Sequence, residues 1–387
     1  MSDQASTAAP PKAGLADLLR HSADLITGLQ DPSGAYPASP TFSAYRGYSW
    51  FRDGSFIAEA ASRAGARWKE AKLTDSATRF HRWCARILTD REPHIREIVA
   101  AQRAGHHVPE RSMLPTRFTF AGEDGTDEWW DFQLDGYGTW LWALAAHGER
   151  TAGDLTPFRA GASLAVEYLA AFWDRPCFDW WEEHNEHRHL STIGAMVGGL
   201  EAIADAQQPD GTSLLPVATR TLARRGAHAA REFTSEHGIG PDGALRKWVG
   251  STEVDASLAS CITPFRLVPP GSPVARATLD RICADLEVGG GVHRFRADVF
   301  FGGGQWPLLS CFLGWALADS DPELARTYLE WAVAQTTPTL DLPEQVPTHL
   351  LHPSHLEEWV ERWGTVATPL LWSHAMVITL ADVLGLT

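Results

Sequence analysis

Length, composition and charge already exclude several classes of protein. The chain has 387 residues, of which 44% are hydrophobic and 21% are charged, so it can bury a large core without disulfides or a metal. Its 33 Lys and Arg against 48 Asp and Glu give a net charge of −15, which excludes nucleic acid and anionic membranes as main partners. The 17 Trp against 6 Tyr indicate stacking surfaces in a cleft, although core packing explains any single one.

The N-terminus and the cysteines set the expected compartment and cofactor content. Residues 1–12 are small and polar, which predicts a disordered tail ahead of a single domain over residues 13–387. Because no apolar run fits an export signal or a membrane span, we expect a cytoplasmic protein. The five cysteines are scattered, which disfavours a disulfide framework and a structural zinc site, and we expect neither a metal nor a cofactor.

Helical periodicity runs along the whole chain. Apolar residues recur at spacings of three and four in twelve segments, which we predict to be helices. These segments are 15–30, 54–65, 74–101, 133–150, 157–173, 191–207, 214–237, 254–266, 273–286, 306–319, 322–335 and 368–385. Pro273 opens the ninth, and Asp321 followed by Pro322 opens the eleventh, as is typical of helix starts.

The predicted helices alternate in character. Even-numbered helices such as 191–207 and 306–319 are apolar nearly all round, which is typical of helices surrounded by protein. Odd-numbered helices such as 214–237 carry charged faces. This alternation predicts an all-α fold, an (α/α)6 barrel of twelve helices with six inner and six outer. An open α-solenoid is the second possibility, but no short repeat supports it.

Aromatic and acidic residues crowd into the segments that precede the inner helices. These segments are 48–54, 127–136, 179–185, 247–253, 294–306 and 342–345. Because all inner helices of such a barrel start at the same end, the segments should converge on one mouth. Tryptophan faces stack on sugar rings and charged groups hydrogen-bond hydroxyls, so this mouth suits a neutral polyol such as a sugar.

Two carboxyl groups are needed to hydrolyse a glycosidic bond, one protonated and one ionised. Glu182 and Glu183 are adjacent and surrounded by aromatic residues, so burial and like-charge repulsion should raise the pKa of one of them, as a general acid requires. Glu344 precedes another inner helix and is the natural candidate for the general base. A carboxyl separation of about 6.5–9.5 Å would indicate inversion through a water molecule.

Four sequence elements, in the same order along the chain, resemble those of one known family. They are Trp50–Asp53, Trp181–Glu183, Arg294–Trp306, and Glu344-Gln345 followed by Trp372–Ala375. The pattern resembles the glucoamylase family, glycoside hydrolase family 15, over nearly the whole chain. The resemblance implies an (α/α)6 barrel and inverting hydrolysis from the non-reducing end of an α-glucoside.

The resemblance also implies roles for individual residues. Glu182 would be the general acid and Glu344 the general base. Arg52 and Asp53 would grip the terminal glucose, Glu183 would bond sugar hydroxyls, and Arg294 would clamp the substrate. The pocket would be shaped by the tryptophans Trp50, Trp129, Trp181 and Trp306.

The C-terminal stretch bears on the substrate. Val346-Pro347 follows the Glu-Gln pair where starch-active members often have an aromatic residue, which favours short oligosaccharides over long α-1,4 glucan. The stretch from Leu342 to Met376 is similar to bacterial isomaltose-type glucohydrolases, which implies α-1,6 links. An α-1,4 glucoamylase and a trehalase of the same family are the alternatives, and a binding module without catalysis is a third.

Several of these residues have a second interpretation. Asp53 could cap a helix, and Asp255 is more naturally a cap than a ligand. Asp135, which we count among the substrate-binding residues, could bond a sugar or pair with an arginine. Arg294 could form a surface salt bridge.

Histidines offer two further alternatives. His184, His187 and His189 could in principle bind a metal, but their spacing fits no usual helical site, so we expect them to bond neighbouring groups or a sugar. A sugar epimerase on the same barrel would need a histidine proton shuttle, for which His293 and His374 are also candidates.

Overall fold

The computed structural model describes residues 14–127, 129 and 132–387 and shows a chain that is almost entirely helical. The α-helices in chain order are α1 (Leu15–Leu29), α2 (Phe51–Trp68), α3 (Ala71–Asp90), α4 (Glu92–Arg103), α5 (Asp135–Thr151), α6 (Arg159–Phe172), α7 (Leu190–Asp205), α8 (Val217–His237), α9 (Pro273–Leu286), α10 (Pro307–Leu317), α11 (Pro322–Ala334), α12 (Ser354–Trp363) and α13 (Leu371–Val383). The predicted tail over residues 1–12 lies outside the described residues.

Short elements complete the described chain. Two antiparallel strand pairs are present, β1 (Tyr48–Trp50) with β2 (Arg117–Thr119) and β3 (Glu287–Val288) with β4 (Gly291–Val292). The 3₁₀ helices cover Glu110–Ser112, Thr156–Phe158, Ala256–Cys261 and Phe300–Gly302. None of the helices among the described residues is both long and apolar enough to cross a bilayer.

The helices form two concentric rings. The inner ring runs α2, α5, α7, the 3₁₀ helix Ala256–Cys261, α10 and α13, and each member packs on the next until α13 returns to α2. Outside it lie α1, α3, α6, α8, α9 and α11, each against an inner member. The prediction of an (α/α)6 barrel with six inner and six outer positions is therefore confirmed.

Local sequence signals explain where several helices start. The Ser272 hydroxyl accepts the Ala275 N–H at 3.2 Å and the Asp321 carboxylate accepts the Leu324 N–H at 3.0 Å, so both predicted starts are capped as the sequence indicates. Helix α2 begins at Phe51, three residues before the prediction. Its first turn therefore carries Arg52 and Asp53, which places their side chains at the mouth of the barrel.

Proline explains two departures from the predicted helices. The predicted helix 74–101 is divided into α3 and α4 at Arg91, because Pro93 has no N–H and its ring would clash with a carbonyl of the preceding turn. Where an inner helix over 254–266 was predicted, the chain forms only the 3₁₀ helix Ala256–Cys261, and Pro264 prevents its extension in the same way. Helix α12 was not predicted.

Aromatic packing fills the interior and forms the base of the mouth. The ring of Phe56 stacks on that of Trp372 with centroids 5.4 Å apart and meets the edge of Phe312 at 5.0 Å. Trp180 packs against the same rings. These side chains are buried and close the barrel beneath the segments that precede the inner helices.

Candidate active site

A cavity of about 280 Å³ lies at the end of the barrel where the inner helices begin. It is lined by Ala38, Tyr45, Trp50, Arg52, Asp53, Trp129, Trp180, Trp181, Glu182, Glu183, Arg294, Phe300, Trp306, Glu344, Leu370 and Trp372. Five of the six predicted segments contribute to this lining. The sixth, 247–253, lies behind it, so the structure shows the predicted convergence for five of the six segments.

Glu182 lies on one side of the cavity, in a tight turn that follows Trp181. Its Oε1 accepts hydrogen bonds from Arg52 Nη2 at 3.1 Å and from the indole N–H of Trp50 at 3.2 Å. Burial raises the pKa of the Glu182 carboxyl, and Arg52 opposes that rise. The direction of the shift is the one that a general acid needs.

Glu344 belongs to a different part of the chain and lines the same cavity. The Tyr45 hydroxyl donates to Glu344 Oε1 at 2.8 Å, while Oε2 is buried and has no partner among the described residues. The Glu344 N–H is fixed by the carbonyl of Ala367 at 2.8 Å. Burial raises the pKa of Glu344 to about 7, and the Tyr45 hydrogen bond limits that rise.

Arg52 is the centre of a buried cluster. Its guanidinium donates to Gln133 at 2.6 Å and to Asp135 at 3.1 Å, and its Nε lies 3.4 Å from Asp53. Asp135 has no exposed surface and lies behind Arg52, outside the cavity lining. The assignment of Asp135 as a substrate-binding residue is therefore corrected: of the two alternatives left open by the sequence, the structure shows the pairing with arginine.

Asp53 lies in the first turn of α2 and does not occupy its N-cap, which is Trp50. It lines the cavity and is only 8% exposed. Burial raises its pKa to about 7, Arg52 lowers it, and the neighbouring Glu182 and Asp135 raise it further. Asp53 therefore does not cap α2 and instead lines the cavity.

Glu183 and Arg294 form a second charged pair at the cavity. Arg294 Nη2 lies 3.3 Å from Glu183, and Arg294 Nε donates to Asp298 at 2.8 Å. Because Arg294 is only 3% exposed, the alternative of a surface salt bridge does not hold. Burial raises the pKa of Glu183, and Arg294 opposes the rise.

The predicted tryptophans form the walls. The rings of Trp50 and Trp129 meet edge to face with centroids 6.0 Å apart, and those of Trp181 and Trp306 lie 5.5 Å apart. The Arg117 guanidinium covers the ring of Trp129 at 4.2 Å. All four tryptophans line the cavity.

A buried ionic network supports the turn that carries Glu182. One oxygen of Asp179 accepts the N–H groups of Trp181 and Glu183, each at 2.9 Å. Lys247 Nζ lies 3.4 Å from the other oxygen of Asp179 and 2.7 Å from Asp255. Glu182 has a φ of 58°, a conformation that costs a non-glycine residue about 1–3 kcal/mol and persists only when its surroundings hold it.

Asp255 connects this network to the cavity wall. It caps the 3₁₀ helix by accepting the Ser257 N–H at 2.9 Å, as the sequence indicates, and its carboxylate also accepts the Trp181 indole N–H at 3.0 Å. The segment 247–253, which precedes the 3₁₀ helix Ala256–Cys261, therefore does not contact the cavity directly. It acts on the site through Asp255 and Trp181.

Sequence reasoning missed several lining residues. Tyr45 precedes the predicted segment 48–54, and only the tertiary structure shows that its hydroxyl meets Glu344. Trp180 lies in the segment 179–185, Trp372 lies in the element Trp372–Ala375 and Phe300 lies in the segment 294–306, but none of the three has a predicted role. Each of these four lies within three residues of a predicted element or inside one, so proximity to the motifs is the signal that could have found them.

The three histidines that followed Glu183 pack against one another and against Trp248. The ring of His187 stacks on Trp248 with centroids 4.4 Å apart, and His189 Nε2 lies 2.8 Å from the carbonyl of His184. The cavity lining among the described residues contains no histidine, so a histidine-based epimerase gains no support from the site.

One group of possible metal ligands occurs among the described residues, at the contact of α1 and α13. It consists of His21, Asp341 and His374. His374 Nε2 accepts the Leu342 N–H at 2.9 Å, and its Nδ1 lies 2.8 Å from the Ser22 hydroxyl. Both ring nitrogens of His374 are therefore engaged in protein hydrogen bonds, and the group holds the inner helix in place.

A helical barrel that opens on tryptophans, glutamates and arginines defines an enzyme acting on carbohydrate. The chain belongs to glycosyl hydrolases family 15, whose family model matches residues 14–299, and it is a glycoside hydrolase. An isomaltose glucohydrolase from Kribbella flavida is 53% identical over 379 residues, which cover 97% of this chain and 94% of that protein.

Solved structures agree with this family. A wild-type glycosidase has a TM-score of 0.91 and 52% identity, covering 96% of this chain and 97% of its own. A variant glycosidase solved in complex with glucose has a TM-score of 0.90 with the same identity and coverage. A glucoamylase from Saccharomycopsis fibuligera shares the fold at a TM-score of 0.69 and 14% identity, over 99% of this chain and 98% of its own.

Proposed function

We propose that this protein is an inverting, exo-acting α-glucoside hydrolase that releases β-glucose from the non-reducing end of short oligosaccharides, with isomaltose-like α-1,6 links as its preferred substrates. One observation carries the proposal: Glu182 and Glu344, far apart in sequence, line the same buried cavity with raised pKa values. The linkage is supported by the 53% identical isomaltose glucohydrolase.

Glu182 acts as the general acid. Burial favours its protonated form, so it can donate a proton to the glycosidic oxygen as the bond from that oxygen to the anomeric carbon breaks. Arg52 and the Trp50 indole, which both contact Oε1, stabilise the carboxylate that remains after the proton has left.

Glu344 acts as the general base. Its ionised carboxylate takes a proton from a water molecule, whose oxygen attacks the anomeric carbon on the face opposite the leaving group. Tyr45 holds one carboxylate oxygen, which leaves Oε2 to receive the proton. Attack on the opposite face converts an α-glucoside into β-glucose.

The remaining cavity residues hold the terminal sugar. Arg52 and Asp53 bond its hydroxyls, Glu183 and Arg294 form a second polar contact, and the tryptophans pack on its C–H faces. The buried rings of Trp180 and Trp372 close the inner end, which favours a chain terminus over the middle of a glucan.

The test is hydrolysis of isomaltose, maltose, trehalose and dextran with the released anomer followed by NMR. We expect β-glucose first and isomaltose to react fastest. Initial release of α-glucose would overturn inversion, and faster reaction with maltose or trehalose would overturn the linkage.

Variants test the two carboxyl roles separately. Glu182→Gln and Glu344→Gln should each lower kcat by about 100- to 10,000-fold while the thermal unfolding transition is retained. Glu186→Gln is the matched control, because Glu186 follows in the same loop with a side chain that is 60% exposed and outside the cavity lining. Normal turnover in either catalytic variant would overturn that assignment.

A further inference from the structure

A second and larger chamber, of about 700 Å³, lies directly outside the candidate active site. It shares Tyr45, Trp129, Glu183 and Phe300 with the inner cavity, so the two spaces meet at these side chains. The outer chamber is therefore positioned to receive the rest of a substrate whose terminal sugar fills the inner cavity.

Helix α12 forms one wall of the outer chamber. His355, Glu358, Trp359 and Arg362 line it at spacings of three, four and seven residues, which places them on one helical face. Trp363, the last residue of the helix, completes this wall. We call these five residues the α12 wall.

Aromatic packing fixes the α12 wall relative to the catalytic cavity. Trp359 is 8% exposed, stacks on Phe42 with centroids 6.1 Å apart, and meets the edges of Phe300 and Phe301 at 5.4 and 4.9 Å. Because Phe300 also lines the inner cavity, the helix is held at a defined distance from the reacting centre.

The remaining members of the α12 wall are exposed and suit a sugar ring. The indole of Trp363 is 39% exposed, its centroid is 5.8 Å from that of Phe42, and the Arg362 guanidinium lies 5.0 Å from it. Among the described residues Glu358 forms no ion pair, so its carboxylate is free to accept hydrogen bonds. An aromatic face beside a carboxylate and a guanidinium matches the C–H face and hydroxyls of a pyranose.

We propose that the α12 wall binds the sugar on the leaving side of the scissile bond and thereby sets the preference for that sugar. The inference rests on the proposed function, since it assigns the terminal glucose to the inner cavity. Trp363 stacks on the leaving sugar, and Glu358 and Arg362 bond its hydroxyls. The ligand is a hexopyranose unit of a short gluco-oligosaccharide.

Two substrates separate binding of the leaving sugar from catalysis. Isomaltose carries a leaving sugar, whereas α-D-glucosyl fluoride places the same glucose in the inner cavity and has fluoride as its leaving group in place of a sugar. Trp363→Ala should lower kcat/KM for isomaltose about tenfold and Glu358→Gln about fivefold, while both hydrolyse α-D-glucosyl fluoride at the wild-type rate. Val360→Ala and Glu361→Gln, on the same helix but outside the chamber lining, are the matched controls and should change neither rate.

Each other outcome has one meaning. Equal losses with both substrates would show that α12 only supports the catalytic cavity, and unchanged isomaltose kinetics would show that the leaving sugar binds elsewhere; either result overturns the inference while leaving the proposed function intact. A wild-type protein that hydrolyses neither substrate would overturn the proposed function itself.

Discussion

Lys247 is the side chain whose removal should reveal how the catalytic turn is held. It is 2% exposed, lies between the carboxylates of Asp179 and Asp255, and packs with its ammonium 3.1 Å from the centroid of Phe295. Lys247→Met keeps much of the side-chain length but removes the one cation that pairs with these two carboxylates among the described residues.

The expected loss of stability follows from that geometry. Removing one partner from a buried ion pair costs about 3–5 kcal/mol, because it leaves uncompensated charge in the interior. A typical free energy of unfolding is about 5–15 kcal/mol, so the variant should still fold. The Asp179 carboxylate should then hold the Trp181 and Glu183 N–H groups less firmly, so we expect kcat to fall as well.

The pH dependence provides a sharper test. Burial alone would raise the pKa of Asp179, but Lys247, His189 and the backbone N–H donors bring it below its ordinary value. In the wild type this carboxylate stabilises the fold above its unfolded pKa, and that contribution is lost as the pH falls through the folded pKa. Without Lys247 the Asp179 carboxyl can take up a proton in acid, so the loss of unfolding free energy in the variant should be largest near neutral pH and smaller at acid pH.

Urea unfolding of wild type and variant at neutral and mildly acidic pH measures both quantities. Lys72→Met is the control, because Lys72 is 66% exposed and lies 3.9 Å from Asp24, where an ion pair contributes about 0–1 kcal/mol. A deficit for Lys247→Met as small as that of the control, or one that grows as the pH falls, would refute this reasoning.

Two further substitutions test other parts of the structure. Tyr45→Phe removes the hydrogen bond that lowers the pKa of Glu344, so the acid limb of the pH profile of kcat/KM should move to higher pH and kcat should fall. The profile is measured with isomaltose, and an acid limb displaced to lower pH would contradict the contact. Gly199→Ala should lower the free energy of unfolding by about 1–3 kcal/mol, because its Cβ would lie 2.1 Å from the Gly138 carbonyl oxygen where α7 crosses α5. Gly28→Ala in α1 is its control, because no atom lies within 4 Å of the added Cβ; it should raise the free energy of unfolding by about 0.5–1 kcal/mol. Equal effects of Gly199→Ala and Gly28→Ala in thermal unfolding would show that α5 and α7 are not crowded at Gly199.

The fold was predictable because the amino-acid composition of each helix indicates whether the helix is surrounded by protein or faces solvent. The inner α7 and α10 are apolar nearly all round and the outer α8 carries arginines, so the alternation of rings is visible before any contact is known. The cavity position followed from the same pattern, because residues that directly precede an inner helix must lie at the mouth of a barrel.

Contacts between distant segments could not be read in the same way. Tyr45 reaches Glu344 across 299 positions, and nothing in the residues around either one indicates the pairing. Asp135 could either bind a sugar in the cavity or pair with an arginine, and the sequence around Asp135 is compatible with both. Only the structure shows that its carboxylate meets Arg52. Lys247 pairs with Asp179 and Asp255, and nothing in the residues around Lys247 indicates either partner.

Helix α12 illustrates a different gap. Its ten residues lie between Pro353 and Gly364, which are ordinary boundary signals for a helix. Because it belongs to neither ring, the barrel pattern leaves no position for it, and it falls between the predicted helices 322–335 and 368–385. Its position at the outer chamber depends on the packing of Trp359 against Phe42 and against the adjacent pair Phe300 and Phe301, which come from two other places in the chain.

The charge balance around Arg52 explains how a proton can be retained at the site near neutral pH. One guanidinium contacts three carboxyl groups, those of Asp53, Asp135 and Glu182, and all are buried or nearly so. Full ionisation would leave two uncompensated negative charges in a poorly solvated interior, which is costly, so the group titrates as a unit with raised pKa values. Glu182 is the member held by the Trp50 indole on the wall of the cavity, where a leaving oxygen could receive the shared proton. The placement of three carboxyl groups around one buried arginine therefore supports the general-acid role proposed for Glu182.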